Sequence, residues 1–539
     1  MNPFEPLPRQ PDDAASAPGI SAPHLALALL AGGAQAASLA WPFDSAIPLM
    51  GVQPGQPIWW LQWLALSALA GLLLHTTDWR RAALCGWLFG SAWLTGSVGW
   101  TFTALHTYGG LPAILAALAV FLFTGLMALF YAGAAGLFVW LAPSARMQQM
   151  LVFMALWLLA ELVRGTWLTG FGWGAGGYAH VDGPLAALAR WLGVYGLGAL
   201  AAVLAMALAQ LLRGAPARGG ALLTIVLLLT LPALLSRDLD GATAPAASTG
   251  RLGVTLLQGN IAQDEKFETA SGVPLALRWY AEQLQASHSA LVIAPETAIP
   301  LLPQQLPPGY WDALQQRFAN GTQAALIGIP LGNYQQGYTN SVLGLQPGQA
   351  QPWRYDKQHL VPFGEFIPPL FKWFTMMMNI PLGDFNRGAL RQPPFVWQGQ
   401  RLAANICYED LFGEELAGNF LDPALSPTIF VNVSNLAWFG KGQAMDQHLQ
   451  IARMRALEFE RPFLLATNPG STAIIDHRAH VTHALAHNTR GVLVGEVEGH
   501  SGITPYAAWV ARWGLWPYWL LAVGLLALAQ RLKARKITA

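Results

Sequence analysis

Charge is what this chain lacks most. Of its 539 residues only 11% are charged, whereas 54% are hydrophobic. A soluble globular protein carries about 25% charged residues, so a wholly aqueous fold is excluded. The formal net charge of +1 provides neither the basic stripe of a nucleic-acid binder nor a polybasic lipid patch. Cysteine is nearly absent, with only Cys85 and Cys407. Cys85 lies in an apolar stretch and Cys407 in a polar region, so no disulfide between them is expected. CxxC pairs and Cys/His zinc spacings are also missing, and no metal site is expected. The polar, Pro- and Ala-rich start from Met1 to Ser21 lacks a basic segment running directly into an apolar one. It therefore does not read as a cleaved signal peptide.

Long apolar runs are what is abundant. They fall at about 23–41, 55–75, 80–104, 111–142, 150–164, 184–212 and 219–236, then again at 506–530. Each is near the ~20 residues that cross a bilayer as helix, and the 23 Trp suit membrane interfaces. The run at 150–164 is short and carries Glu161 and Arg164. An intramembrane Glu161 reads either as a proton relay or as the partner of Arg164 one turn on, and the pair is favoured. Residues 1–240 thus form a transmembrane domain of seven helices, 251–501 a polar domain, and 506–530 an eighth helix, with a linker at 237–250.

An even number of spans puts both termini on one side. Arg80, Arg81, Arg146, Arg213, Arg218, Arg531, Lys533, Arg535 and Lys536 all fall on that side, and Lys/Arg excess marks the cytoplasm. Arg164 is the exception. The polar domain is then extracytoplasmic, periplasmic in a cell with an outer membrane.

Within 251–501, short apolar runs at 252–257, 290–294, 324–329, 341–345, 402–406, 428–433, 463–466 and 472–475 read as strands. Helices are expected at 274–287, 310–320 and 445–460. This alternation predicts one α/β domain. Three stretches carry its chemistry. Leu291-Val292-Ile293-Ala294-Pro295-Glu296 is a strand ending in a carboxylate. Leu402-Ala403-Ala404-Asn405-Ile406-Cys407 is a strand ending in a thiol, followed by Tyr408, Glu409 and Asp410. Between them a loop carries Lys357, His359 and Glu365. A cysteine attacks as thiolate, and a nearby cation lowers its pKa. Lys357 supplies that cation and stabilises an oxyanion, while Glu296 moves the proton. Each residue alone reads as structural; the three contexts together predict acyl transfer. His359 and His448 are expected to be structural. Gly174, Gly176 and Gly177 fail the dinucleotide spacing and read as a bend on the extracytoplasmic surface.

Ala294-Pro295-Glu296, Asp356-Lys357 with His359-Leu360-Val361-Pro362-Phe363-Gly364-Glu365, and Ile406-Cys407-Tyr408-Glu409 resemble the three signature blocks of the nitrilase superfamily. The closer likeness is to its membrane-bound branch, the apolipoprotein N-acyltransferase family. It extends through Arg164-Gly165, Leu168-Thr169-Gly170-Phe171, Asp182-Gly183-Pro184-Leu185, Gln258-Gly259-Asn260-Ile261, Ala437-Trp438-Phe439-Gly440, Gln447-His448, Ala452-Arg453-Met454-Arg455-Ala456-Leu457-Glu458 and Thr504-Pro505-Tyr506. The resemblance implies a polytopic α-helical membrane domain of eight transmembrane helices joined to an α/β nitrilase-like αββα sandwich. It implies Glu296 as base, Lys357 as oxyanion stabiliser and Cys407 as nucleophile, supported by Glu365, Tyr408 and Glu409. Asn340, Trp438, Phe439 and Phe267 are implied near the substrate; at Phe267 the family often has tryptophan, after a lysine matched here by Lys266.

The implied reaction passes an acyl chain from a phospholipid to Cys407 and then to the α-amino group of a diacylglyceryl-modified apolipoprotein. It runs without nucleotide, metal or other cofactor, in a monomer of the bacterial inner membrane whose remaining contacts are membrane lipids. Two other functions compete: a membrane-tethered amidase or nitrile hydrolase using water, and a non-catalytic scaffold. The apolar stretch at 371–378, with Lys372, Trp373 and Phe374 between Pro368-Pro369 and Pro381, reads as core packing or as a lipid-touching lid over the Cys407 cleft.

Overall fold

The computed structural model describes residues 21–213, 219–230, 247–367, 385–440 and 442–538. The proposed lid at 371–378 and much of the linker at 237–250 lie outside the described residues. The N-terminal part is helical: α1 (Ala22–Ala37), α2 (Trp59–His75), α3 (Trp79–Val98), α4 (Ala113–Leu141), α5 (Arg146–Thr166), α6 (Ala189–Leu212) and α7 (Gly219–Thr230). Small residues set how closely these helices pack, as they do between helices in membranes. A Cβ on Gly86 of α3 would lie 2.5 Å from the Tyr131 carbonyl of α4. The opposite face of α4 carries exposed Ile114, Leu118, Leu122, Leu126 and Leu129, an apolar stripe at helical spacing.

Among the described residues, three helical stretches are long and apolar enough to cross a membrane alone: Ala113–Leu141, Arg146–Thr169 and Ala186–Leu212. The C-terminal apolar stretch, read as one span at 506–530, is two helices. These are α11 (Pro505–Trp513) and α12 (Trp516–Thr538), bent by 87°. They become a fourth span only if counted together. The break falls at Gly514, whose φ of +55° suits glycine.

Among the described residues, the α/β domain has two six-stranded sheets. The first contains β1 (Ser248–Gln258), β2 (Leu291–Ala294), β3 (Ala324–Asn333), β4 (Gly337–Leu345), β5 (Trp353–Asp356) and β12 (Gly491–His500), in the order β12-β1-β2-β3-β4-β5. The second contains β6 (Phe395–Trp397), β7 (Gln400–Ile406), β8 (Ile429–Ser434), β9 (Phe463–Thr467), β10 (Ala473–Ile475) and β11 (Val481–Ala484), in the order β11-β10-β9-β8-β7-β6. Alternate residues of the two sheets meet in one buried core, including Val254, Leu256 and Ile293 from the first and Leu402, Ile406 and Val431 from the second. Helices α8 (Gly272–Ala286) and α9 (Tyr310–Ala319) cover the outer face of the first sheet.

The second sheet is covered differently. Its outer residues Phe430, Phe463 and Leu465 share a core with α10 (Gln443–Phe459) and with Tyr178, Leu188 and Val194 of the helical part. Helix α10 is therefore buried on both sides, by the sheet and by the membrane-type helices. Polar contacts fix this junction. The Trp100 and Trp173 indoles donate to Gln447 Oε1 at 3.1 and 2.7 Å, and the Val194 amide donates to Glu458 Oε1 at 2.7 Å.

The Glu161–Arg164 pair is confirmed. Arg164 lies 3.4 Å from Glu161, donates to Tyr131 and to the carbonyls of Phe171 and Trp173, and is buried. It is thus not a loop charge, which explains why it departs from the positive-charge alternation. Gly174, Gly176 and Gly177 are not at a surface bend. The segment is buried, and a Cβ on Gly177 would sit 2.0 Å from the Val194 carbonyl. Glycine is needed there for close backbone approach.

Candidate active site

Strand direction assembles the site. β1, β2 and β3 run parallel, and β5 returns to that direction after antiparallel β4. In the facing sheet β7, β8 and β9 are parallel. The residues just past these C-terminal ends are Glu296 after β2, Lys357 after β5, Cys407 after β7 and Asn435 after β8. Strand C-termini are where open α/β sheets present ligand-binding groups.

Lys357 is 1% exposed and donates to Glu365 Oε1 at 2.9 Å and to Glu296 Oε1 at 3.4 Å. Burial alone would lower its pKa, but Glu365, Glu296 and the nearby Cys407 more than offset this and hold it above the usual lysine value. Asn340 lies between the two carboxylates, donating to Glu296 Oε1 at 2.6 Å and Glu365 Oε1 at 2.8 Å. The second oxygen of Glu296 accepts from the Asn435 amide at 2.9 Å, and that of Glu365 from the Val361 amide at 2.9 Å. Both carboxylates are thus fixed at each end.

Cys407 has φ +53°, a left-handed backbone that costs a non-glycine residue ~1–3 kcal/mol. Two contacts hold this elbow. Asn432 Nδ2 donates to the Cys407 carbonyl at 3.0 Å, and the Ile406 amide donates to Glu409 Oε2 at 2.6 Å. Glu409 also accepts from Tyr355 at 2.9 Å and from the amides of Gln358 and His359 at 2.7 and 3.1 Å. It therefore ties the cysteine elbow to the lysine loop. Lys357 lowers the thiol pKa as expected, but other effects outweigh it. Burial first, and then the Glu296 charge, push Cys407 well above an ordinary thiol, and Lys357 counters only part of this. The resting group is a thiol, so a base is required to activate it.

The other expected residues are placed as follows. Tyr408 reaches the helical part, donating to the Gly170 carbonyl at 3.1 Å. Half-buried Trp438 packs against Tyr108 with ring centroids 5.6 Å apart, and Phe439 against Trp100 at 4.4 Å, both on the helical part. Phe267 is 53% exposed beside Lys266. Asn340 touches the two carboxylates. His359 accompanies Glu415 at 2.9 Å and stacks on Phe412, and His448 pairs with Asp410 at 3.1 Å while fully buried. Sequence reasoning missed Asn435, whose signal was its place one residue past a strand, as for Cys407.

A two-sheet sandwich with carboxylate, lysine and cysteine gathered past its strand ends is a carbon–nitrogen hydrolase domain, here built onto apolar helices. Residues 253–502 match the Carbon-nitrogen hydrolase family, and residues 45–207 match the Apolipoprotein N-acyltransferase N-terminal domain. An apolipoprotein N-acyltransferase of Verminephrobacter eiseniae is 56% identical over 511 residues, covering 91% of this chain and 93% of that one. One from Ralstonia nicotianae is 43% identical, covering 89% and 90%. A crystal structure of carbon-nitrogen hydrolase from Helicobacter pylori G27 is 16% identical with a TM-score of 0.34, covering 50% of this chain and 94% of its own. The chain belongs to the apolipoprotein N-acyltransferase family.

Proposed function

We propose that the protein transfers an acyl chain from a phospholipid to the α-amino group of the N-terminal diacylglyceryl-cysteine of lipoproteins, through a thioester on Cys407. The observation that carries this reading is the buried cluster of Glu296 and Lys357, within electrostatic reach of Cys407, in a chain whose relatives bear that name. Glu296 takes the thiol proton as sulfur attacks the acyl ester, and Lys357 stabilises the oxyanion. Glu296 then protonates the departing glycerol oxygen, and a lysophospholipid leaves. In the second half the amine attacks the thioester, Glu296 takes its proton, and the thiol is restored as the amide forms. Glu365 and Asn340 orient Lys357 and Glu296, and Glu409 fixes the elbow. Trp438, Phe439 and Phe267 are assigned to the substrate side.

The architecture that serves this reaction has eight spans: seven within 1–240, the catalytic domain at 251–501, and a last span at 506–530 to which α11 and α12 both contribute. Exposed Arg80, Arg81 and Arg213 support a cytoplasmic side opposite that domain, hence an inner-membrane enzyme with a periplasmic site. The protein is assigned as a monomer.

The test is intact-mass analysis of the full chain after incubation with phospholipid vesicles. One acyl adduct is expected in the wild type and in Cys85→Ala, and none in Cys407→Ala. A diacylglyceryl-cysteine peptide should discharge the adduct as an amide. An adduct on Cys407→Ala would exclude the nucleophile. Discharge only as free fatty acid would favour the hydrolase.

A further inference from the structure

A second lysine lies at this site, bonded in a way the first is not. Lys266, in the loop after β1, is 1% exposed. Its Nζ donates to the Glu296 carbonyl at 3.1 Å and to Thr297 Oγ1 at 2.6 Å. Both acceptors are neutral, whereas Lys357 is bracketed by two carboxylates. A buried charge without a bonded counterion is costly, and a turn can be held by uncharged groups. The placement therefore points to the site rather than to folding alone.

Two features show what the ammonium does there. The first is strain. Thr297 has φ +45°, a conformation a β-branched residue rarely adopts, and Lys266 grips both sides of the peptide that enters it. Releasing that grip lets the turn relax and carries the Glu296 carboxylate with it. The second is charge. Among the described residues, Lys357 is the cation bonded to the Glu296 and Glu365 carboxylates. Lys266, which is coupled electrostatically to Glu296 and Cys407, brings the cluster to neutrality. It stays neutral when the proton moves from Cys407 to Glu296, because one negative charge replaces another. Without Lys266 the thiolate would form in a net negative, water-poor site.

We propose that Lys266 is a positioning residue for acyl transfer, pinning the Glu296–Thr297 turn so that the carboxylate keeps its aim at Cys407 while balancing the charge of the site. This rests on the reading of Glu296 as base and Cys407 as nucleophile. Burial lowers the Lys266 ammonium to about 8, with Glu296 and Cys407 opposing the fall. The charge is present at neutral pH and is lost as pH rises through about 8.

The experiment measures Cys407 acylation from phospholipid vesicles against pH, in the full-length chain, for wild type, Lys266→Arg, Lys266→Met and Thr297→Ala. Lys266→Met is expected to lose about 10²-fold in loading rate, the cost of a ~1 Å misplacement of a reacting group, with KM for the vesicles unchanged. Lys266→Arg retains its charge at every accessible pH. It should recover much of the rate and lack the decline above about pH 8 shown by the wild type. Thr297→Ala keeps the ammonium but loses one anchor. It should load about 10-fold more slowly with the wild-type decline intact, and it covers the case in which Lys266→Met does not fold. Loading of Lys266→Met within a few-fold of wild type, a decline near pH 8 persisting in Lys266→Arg, or a wild-type rate in Thr297→Ala would each overturn the proposal. Failure of the wild type itself to load would instead remove the reading of Cys407 on which it stands.

Discussion

The Glu296 carboxylate raises the pKa of the very thiol whose proton it is proposed to take. Its removal should therefore have opposite effects on two assays. In Glu296→Gln, Cys407 should react faster with iodoacetamide at pH 8, because a like charge has gone, while acyl transfer falls by about 10²–10⁴-fold, as for loss of a general base. Parallel loss of both would make Glu296 a structural carboxylate. Lys357 raises a separate issue, since it is buried between two carboxylates. Lys357→Met should lose ~10²–10³ in rate and also about 3–5 kcal/mol of stability, the usual cost of breaking a buried ion pair on one side. Adding Glu365→Gln should restore much of the melting temperature without restoring turnover. Recovery of activity in the double variant would place Lys357 outside the chemistry. Glu296 and Cys407 were legible because each follows an apolar run, and Lys357 because it stands in a charged loop between them. Lys266 and Asn435 were not picked out, because what distinguishes them is what they touch across the cleft.

At the scale of elements, the buried strands were readable and the edge strands were not. The cores of β2, β3, β7, β8 and β9 are continuous apolar runs, as strands covered on both faces must be. Four strands escaped. β11 is exposed throughout and reads Val-Thr-His-Ala, β5 and β6 are four and three residues long, and β12 mixes Gly and Glu into its alternation. Each sits at the end of its sheet, where half the side-chain surface meets solvent and the hydrophobic signal fades. The C-terminal bend was missed because 506–530 is apolar throughout, and composition does not report direction. One central strand offers a direct test. A Cβ on Gly328 of β3 would lie 2.2 Å from the Pro295 carbonyl and 2.8 Å from Glu296 Cα. Gly328→Ala should cost about 1–3 kcal/mol as overpacking, seen as a lower melting temperature, and should lower kcat more than KM because the strain falls under the Glu296 turn. Unchanged kcat would show that the turn is held independently of β3.

For the whole molecule, the sequence indicated two parts but not how they are joined. The fused core around α10 arises from residues far apart in the chain, and no local pattern announces it. The proposed orientation can be tested with cysteines at described, exposed positions in a Cys85→Ala background. Tyr334 is 93% exposed on the α/β domain, and Arg213 is exposed at the end of α6. Tyr334→Cys should react with a membrane-impermeant maleimide in cells with a permeabilised outer membrane, and Arg213→Cys should react only after lysis. The opposite labelling would turn the protein over.

The pairing of β1 with β12 sets the order in which such a chain can be made. Their register runs from Ser248↔His500 to Gln258↔Gly491, so the first strand of the sheet waits for the last. In the proposed orientation nearly the whole domain crosses the membrane during synthesis while one side of β1 lies open, and an open strand edge invites pairing with other chains. Closure comes late, just as the next segment, α11 and α12, arrives. A nascent chain stopped before Gly491 should thus be a substrate for periplasmic proteases, and one extended past His500 should resist them. Arrival of the final helices and completion of the sheet are in this way nearly the same event.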